Sequence, residues 1–349
     1  MNNFNLLRLC AALAVFFSHS QFLYSLRMPV PFAGHSLGSL GVYVFFFVSG
    51  YLVHQSWQRE PRWDAFWLKR VARIFPGLVV ASIFATGLLG PLMTVMPVSE
   101  YLAHPETWRY FINNAFGVAT TQVLPGVFET TPFRRAVNGS LWTIRYELLM
   151  YLALSLLGVA RLSTRAWTFP LLTLAMAVLW LALRDAAAPR SAADASWLAA
   201  MFNWPDVSAL AVYFFTGCSF AALRLAGSYW LGGVALVAAT LAVVLRHPAL
   251  VQLCVWVLVP CGMFYLAYRG VRWIRGAPHQ DISYGVYIYA FPIQQTMTQL
   301  SLDRGWPWLA CLVLSLAATC ALAWMSWHWV ERPAMAASRR LLAKYRAAA

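Results

Sequence analysis

The stretch LLRLCAALAVFFSHS, residues 6–20, is apolar enough for a membrane helix but carries two ionisable side chains, Arg8 and His19. Eleven residues of helix return to within roughly 20° of the starting direction, so both side chains are predicted to lie on one stripe, about 16 Å apart. Ionisable groups at membrane depth are costly and usually mark a substrate or proton pathway. The stripe is therefore predicted to face protein or water.

The composition of the whole chain also indicates a membrane protein. Of its 349 residues, 61% are hydrophobic and 11% are charged, whereas soluble domains carry about 25% charged residues. The apolar runs are close to the ~20 residues that cross a bilayer as helix, and they lack the alternation of outer-membrane strands. We therefore predict an all-α polytopic integral membrane protein with a single domain, 1–349. We expect the first run to be retained as a helix, because Ser18-His19-Ser20 matches a signal-peptide cleavage site poorly.

Hydropathy predicts ten transmembrane helices, at 5–24, 37–56, 71–96, 141–160, 167–184, 205–223, 229–246, 249–268, 281–300 and 307–330. The longest loop, 97–140, is predicted to be extracytoplasmic. It contains YFINNAFGV, which is too polar to span alone and is predicted to be an interfacial or re-entrant helix. The tail, 334–349, is predicted to be a short basic helix on the inner surface.

The net charge of +14 is explained by membrane orientation. The basic residues of the chain lie in short loops and form no nucleic-acid recognition motif, so no nucleic-acid partner is expected. With a cytoplasmic N-terminus, the inner loops hold 16 Lys and Arg and the outer loops hold 8. The positive-inside rule then predicts that both termini are cytoplasmic.

The six cysteines, all in apolar runs, are not closely paired, so neither a disulfide framework nor a zinc site is predicted. Phosphate loops, dinucleotide-binding fingerprints and metal-ligand sets are absent from the sequence. We expect no metal and no permanently bound cofactor.

His19 is the first candidate for catalysis, because an imidazole titrates near neutrality and can take a proton from a hydroxyl group. The structural alternative is a buried histidine bonded to a backbone carbonyl. Arg8 lies near the predicted inner end of the helix, where it could orient a partner or only extend to the membrane surface.

Glu147 is the acidic residue that lies well inside an apolar run, SLWTIRYELLMYLAL. A carboxylate in hydrocarbon needs a partner, and Arg145, Arg8 and His19 are the candidates. Glu147 could hold the His19 tautomer or stabilise its imidazolium form. A structural ion pair with an arginine is the alternative.

Lys69, Arg70 and Arg73 form a cationic cluster in FWLKRVARIFPG, with Arg70 and Arg73 on one helical face. Such a cluster suits a polyphosphate. Contact with lipid headgroups and control of topology is the alternative, and it accounts for most basic clusters of this kind.

Two stretches, GVYVFFFVSGYLV and ISYGVYIYAFPIQQ, combine small residues with tyrosines. Ser49, Gly50, Ser283 and Gly285 are predicted to let helices approach closely. Ser49 or Ser140 could serve as a nucleophile, although neither lies in a GxSxG context.

Taken together, these motifs resemble those of acyltransferase family 3, bacterial membrane O-acyltransferases of cell-surface or secreted carbohydrates. The shared residues are Arg8 and His19, Ser49-Gly50-Tyr51-Leu52, Arg70, Arg73 and Pro76, Ser140-Leu141-Trp142 with Glu147 and Tyr151, Ser283-Tyr284 through Tyr287 to Pro292, and Val330-Glu331-Arg332-Pro333. One departure is Ala290, at or near which family members often carry histidine in a stretch resembling SYxxYLxHxP.

The resemblance implies a ten-helix core in the bacterial cytoplasmic (inner) membrane, with acetyl-CoA or another acyl-CoA as donor and a carbohydrate hydroxyl as acceptor. His19 would be the catalytic histidine, assisted by Glu147 and Arg8, and Arg70, Arg73 and Lys69 would face the phosphates of the donor. The substrate pocket would contain Ser49, Tyr51, Ser140, Trp142, Arg145, Tyr151, Ser283 and Tyr287. Some relatives carry an extra hydrolase-like domain, which we do not expect here.

Several alternatives remain open at this level. His19 could activate the acceptor directly, or an acyl-histidine intermediate could carry the acyl group. A transporter or flippase of a lipid-linked sugar could use the buried charges as a proton relay. A membrane scaffold could use them only as structural ion pairs.

Overall fold

The computed structural model of the protein describes residues 3–26, 32–117, 119–184, 202–225, 228–270 and 280–348. Its regular elements are helices; in the described ranges the only β-type pairings are two isolated bridges, Phe32–His35 and Thr94–Val127. The predicted all-helical class is confirmed. Four arginines of the predicted loops lie outside the described residues; they are Arg27, Arg190, Arg272 and Arg275.

Helices occupy all ten stretches predicted to be apolar helices. They are α1 (Phe4–Leu23), α2 (Leu37–Arg59), α3 (Trp63–Ile83), α7 (Ile144–Val159), α8 (Thr168–Leu183), α9 (Trp204–Ala222), α10 (Tyr229–Val244), α11 (Pro248–Tyr265), α12 (Ser283–Arg304) and α13 (Trp308–Ser326). The shorter or more polar helices are α4 (Gly90–Met93), α5 (Val98–Ala103), α6 (Pro105–Ala115) and α14 (Arg332–Ala348).

Six helical segments in the described ranges are long and apolar enough, by length and composition, to cross a membrane. They are Phe4–Leu23, Leu37–Arg59, Trp63–Met93, Gly139–Val159, Pro248–Arg269 and Trp308–Arg346. The apolar helices α8 and α10, with 16 residues each, are shorter. This pattern fits a polytopic membrane protein, whereas ten crossings and the side of each terminus stay predictions.

Two helix boundaries differ from those that hydropathy predicts. The third helix begins at Trp63 rather than near residue 71. Hydropathy misses its first turns because they carry Asp64, Lys69 and Arg70 and are not apolar overall. The last apolar helix continues through a π-helical turn, Trp327–Glu331, into α14. The predicted basic tail is therefore helical and continuous with α13.

The described chain divides into two compact units, and divisions between them fall inside α1, α3 and α7. The first contains 1–11, 30–66 and 146–279, and the second contains 12–29, 67–145 and 280–349. The single-domain assignment, with its outer loop and inner tail, stays a prediction.

In the first unit, α2 and α9 approach closely at small residues. A Cβ atom on Gly50 would lie 1.9 Å from the Phe214 carbonyl oxygen, so only glycine fits there. The Cys218 thiol on α9 donates to the Gly50 carbonyl at 3.4 Å. Phe4 of α1 packs on Tyr51 and Phe264, with ring centroids 5.2 and 6.5 Å away.

In the second unit, α12 is the central buried helix. A Cβ atom on Gly285 would lie 2.7 Å from the Cα of Ala323 on α13. The hydroxyl of Tyr284 donates to the Ile74 carbonyl on α3 at 2.9 Å. Gly50 and Gly285 therefore permit the close helix packing that their sequence context predicts.

The segment 97–140 is more than a connecting loop, because it forms a small packed core with the end of the third helix. Tyr101 and Tyr110 are fully buried there with Leu124, Val127 and Phe128. Tyr101 donates to the Thr86 carbonyl at 2.9 Å. Burial raises the pKa of both phenols, so both stay neutral. The predicted helix around YFINNAFGV is present as α6; its position relative to a bilayer stays a prediction.

Candidate active site

His19 lies in the C-terminal half of α1, which is one continuous helix that also carries Arg8. Its half-buried imidazole is enclosed by aromatic rings, with Phe291 5.1 Å and Phe22 5.5 Å away between ring centroids, both edge-on. The buried Nδ1 atom has no hydrogen-bond partner within the described residues. Hence the structural alternative of a bond from Nδ1 to a backbone carbonyl is not observed.

The wall beside His19 comes from α12 and from the segment before α7. Phe133 packs on both Phe22 and Phe291, with centroid distances of 5.1 and 6.0 Å. A Cβ atom on Gly139 would lie 2.7 Å from the Phe291 ring, so this segment passes directly over that ring. The sequence-predicted pocket residue Ser140 follows immediately.

Ser140 and Tyr287 lie along this same contact between α12 and the start of α7. Ser140 is 1% exposed, and its hydroxyl has no hydrogen-bond partner in the part of the chain that the structure describes. The Asn138 amide donates to the Ile288 carbonyl at 2.8 Å, and Tyr287 shares a 2.8 Å hydrogen bond with Thr143. Asn138, which sequence reasoning missed, therefore fixes the chain beside Ser140.

Trp142 and Arg145 follow at the start of α7, and both are half-buried. Arg145 lines a small open cavity with Leu141, Ile144 and residues of the segment 114–120. Arg145 thus contributes one basic side chain to the wall of this cavity. A substrate role for either residue stays a prediction.

In the first unit, the structure brings together three predicted site residues, Ser49, Glu147 and Tyr151. Oε1 of Glu147 accepts hydrogen bonds from the Ser49 hydroxyl at 3.0 Å and from the Tyr151 hydroxyl. The two hydroxyls are 2.9 Å apart. Within the described residues, the partners shown for this carboxylate are thus hydroxyl groups rather than an arginine.

Two further predicted residues of the first unit have aromatic neighbours. The guanidinium of Arg8 lies over the Phe45 ring, 5.9 Å from its centroid. Tyr51 is buried and shares a 2.8 Å hydrogen bond with Tyr268. The first contact joins the start of α1 to α2, and the second joins the middle of α2 to the residues that follow α11.

Arg73, predicted to face phosphates, lies between two carboxylates of the second unit. It donates to Asp281 at 2.7 Å and to Glu331 at 2.8 Å. Glu331 is fully buried and also accepts from Ser326 at 3.1 Å. Asp281 in turn accepts from the backbone N–H of Ser283 at 3.3 Å and from its hydroxyl. The structure therefore gives both Arg73 and the predicted pocket residue Ser283 a structural contact.

Lys69 and Arg70 lie in the turn of α3 that precedes Arg73, and both are half-buried. They could hold the phosphates of a donor. Within the described ranges, no three His, Cys, Asp or Glu side chains lie together as a metal site requires.

The predicted site residues therefore form clusters within the two units. His19, Ser140, Tyr287 and the cations of α3 belong to the second unit, whereas Arg8, Ser49, Tyr51, Glu147 and Tyr151 belong to the first. The orienting role proposed for Glu147 stays a prediction.

Comparison with known proteins identifies the chemistry of the chain. A family model described as an acyltransferase domain matches residues 1–328. The chain belongs to this acyltransferase family. The resemblance inferred from the sequence motifs is thereby confirmed, and the apolar helices make this acyltransferase a multi-pass membrane protein.

Two curated relatives match over nearly the whole chain. The acyltransferase is 28% identical to the O-acetyl transferase of Shigella phage Sf6, over 95% of this chain and 95% of that protein. It is also 28% identical to nodulation protein 10 of Rhizobium leguminosarum bv. viciae, over 98% of this chain and 95% of that protein. No solved structure shows significant similarity to it.

Proposed function

We propose that this acyltransferase moves an acyl group from acyl-CoA to a hydroxyl of a cell-surface or secreted carbohydrate, with His19 as general base. The observation that carries the proposal is an imidazole in an apolar helix whose buried Nδ1 has no hydrogen-bond partner in the described residues, in a chain of an acyltransferase family. Acetyl is the first group to test because one relative is named an O-acetyl transferase.

In the direct mechanism, the imidazole of His19 takes the proton of the acceptor hydroxyl as its oxygen attacks the thioester carbon. The new C–O bond forms and the C–S bond breaks, so the acyl group becomes an ester and coenzyme A leaves as a thiolate. The imidazolium then returns its proton to that thiolate. Proton transfer by a positioned side chain contributes about 10²–10⁴-fold to rate.

The cations of α3 are proposed to receive the donor. Lys69 and Arg70 are within one turn of helix, and fixed cations of this kind bind phosphate oxygens. Arg73 shares the same helix but is bonded to Asp281 and Glu331. We propose that all three cations contribute to the phosphate site, with Arg73 also holding this part of α3 in place.

The acceptor side is proposed to involve the aromatic and polar residues around His19. Phe22 and Phe133 are 40% exposed, so the wall beside the imidazole is open to a substrate. Ser140 and Arg145 lie further along the same segment. We place the protein in the bacterial cytoplasmic membrane, where cytoplasmic acyl-CoA can reach its inner face.

Mass spectrometry of surface polysaccharide tests this function. Polysaccharide from cells with the gene is expected to carry an ester-linked acyl group that is missing from cells without it. Re-expression of the wild-type protein or of His247→Ala, which alters an exposed histidine, should restore the ester. His19→Ala at equal membrane abundance should not. Restoration by His19→Ala, or polysaccharide of identical mass in all five strains, would overturn the proposal.

A further inference from the structure

Helix α12 presents one polar and aromatic face to the turn of α1 that carries His19. Phe291, Gln294 and Gln295 are three and four residues apart, so they share a helix face. Phe16 and His19 have the same spacing on α1. Although the chain has Ala290 at or near the position where family members often carry histidine, α12 still packs beside the candidate base.

Gln294 bonds directly to the turn that contains His19. Its amide nitrogen donates to the Phe16 carbonyl at 3.0 Å and to the Ser20 hydroxyl at 2.9 Å. The Ser20 hydroxyl also donates to the Phe16 carbonyl at 3.2 Å. Because Phe16 and Ser20 lie on either side of His19 in the chain, this three-way contact fixes the backbone from which the imidazole projects.

The imidazole itself has few other restraints. Its Nδ1 atom has no hydrogen-bond partner among the described residues, so no bond from that atom sets the ring orientation. The contacts that do restrain it are the edges of Phe22 and Phe291. Phe291 lies one helical turn before Gln294, so the same face of α12 restrains both the ring and its backbone.

We propose that Gln294 is a positioning residue for the reaction, holding His19 where it meets the acceptor hydroxyl. The inference rests on the proposed function, because it assumes that His19 is the base. The expected effect is large, since a displacement of about 1 Å at a reacting group can lower rate about 100-fold. Gln294 is 0% exposed, so this contact is held inside the protein.

Gln295 provides a matched control in the adjacent position. It is also 0% exposed, and its amide also donates two hydrogen bonds, to the carbonyls of Phe133 at 2.6 Å and Ala136 at 2.8 Å. Both glutamines leave Oε1 without a partner among the described residues. The two side chains differ in what they hold: Gln294 holds the His19 turn, whereas Gln295 holds the segment before α7.

The test compares Gln294→Met with Gln295→Met, because methionine keeps the side-chain length and removes the amide. Detergent-solubilised protein, in which both faces are accessible, receives acetyl-CoA and surface polysaccharide from which alkali has removed ester groups. We expect both variants to lose similar thermal stability, since each loses two hydrogen bonds to neutral acceptors. Gln294→Met should lower kcat about 10- to 100-fold with KM for acetyl-CoA within about twofold, whereas Gln295→Met should keep kcat within about threefold.

Ser20→Ala supplies a milder variant that keeps the bond from Gln294 to the Phe16 carbonyl. It should lower kcat by a few-fold without changing KM for acetyl-CoA, and it decides the question if Gln294→Met does not fold. The proposal is overturned if Gln294→Met and Gln295→Met lower kcat equally, or if Gln294→Met or Ser20→Ala folds and keeps full kcat. His19→Ala in the same assay separates the two claims. If His19→Ala keeps full activity, His19 is not the base and both claims fail. If His19→Ala is inactive but Gln294→Met has normal kcat, only the positioning role of Gln294 fails.

Discussion

At the scale of single residues, the ionisable groups of this acyltransferase differ in how their charge is compensated. Arg73 lies between Asp281 and Glu331, with side-chain exposures of 15%, 11% and 0%. His19 instead sits among aromatic rings, with Nδ1 unbonded within the described residues. Compensated charges of the first kind stabilise a fold, whereas the His19 imidazole is proposed to transfer protons in the reaction.

Replacing Arg73 by alanine should destabilise the protein strongly, because two carboxylates would lose their shared partner. Breaking a buried ion pair by removing one member typically costs about 3–5 kcal/mol. The triple variant Arg73→Met, Asp281→Asn, Glu331→Gln should recover most of that loss. Thermal unfolding in detergent measures both. An unchanged melting temperature for Arg73→Ala would contradict the structural role given to this arginine.

Glu147 can be tested with a pair of substitutions that separate its hydrogen bonds from its charge. In Glu147→Gln, the amide oxygen can still accept from Ser49 and Tyr151, so stability should stay close to wild type. Glu147→Leu removes both bonds and should cost about 1–3 kcal/mol. If the carboxylate stabilises an imidazolium, as the sequence suggests, Glu147→Gln also lowers kcat at least about tenfold. Acyl transfer at the wild-type rate by Glu147→Gln would rule that catalytic role out.

At the scale of elements, close approach of helices at small residues organises both units. Gly50 on α2 meets the backbone of Phe214 on α9, and Gly285 on α12 meets Ala323 on α13. Without a strong hydrophobic drive between helices in lipid, such contacts let backbones pack by van der Waals attraction. The glycines therefore fix which helices are neighbours.

Gly50→Ala should destabilise the packing of α2 on α9, because its Cβ atom would lie 1.9 Å from a backbone oxygen that cannot rotate away. Overpacking of this kind costs about 1–3 kcal/mol or more. Gly233→Ala on α10 is the matched control, since nothing lies within 4 Å of its Cβ position. It should be neutral or stabilise by up to about 1 kcal/mol through helix propensity. Equal melting temperatures for the two variants would contradict the close approach.

Helix positions follow from the sequence, because each apolar run of about 20 residues is a local signal. The same signal misses the start of α3 at Trp63, where Asp64, Lys69 and Arg70 interrupt the run. The long-range pairings are not encoded locally at all. Arg73 is separated from Glu331 by 258 residues and Gln294 from Ser20 by 274, so buried amides and charges in apolar runs indicate that partners exist but not which ones.

At the scale of the whole molecule, the number of crossings decides which residues meet the donor. An even number places both termini on one side, which the distribution of Lys and Arg predicts to be cytoplasmic. Six segments in the described ranges are long and apolar enough to span, and ten helices occupy the ten predicted positions. The donor cations on α3 and the segment 97–140 would then lie on opposite sides.

Cysteine labelling checks this arrangement. In a variant with the six native cysteines replaced, Glu106→Cys in α6 and Arg340→Cys in α14 each introduce one thiol at an exposed position. A membrane-impermeant maleimide added to intact cells should label the Glu106→Cys variant. The Arg340→Cys variant should react only after the cytoplasmic membrane is permeabilised. Labelling of both variants in intact cells would place the segments on the same side and contradict the even number of crossings between the termini.

The central claim is that the acyltransferase uses His19 to move an acyl group from acyl-CoA to a carbohydrate hydroxyl. Detergent-solubilised protein with isotope-labelled acetyl-CoA and alkali-treated surface polysaccharide tests it directly, because both faces of the protein are then accessible. Wild-type protein and the His247→Ala control should incorporate label as an alkali-labile ester, and His19→Ala should incorporate at least about 100-fold less at equal protein. Incorporation by His19→Ala at the wild-type rate, or no incorporation by wild-type protein, would contradict the account.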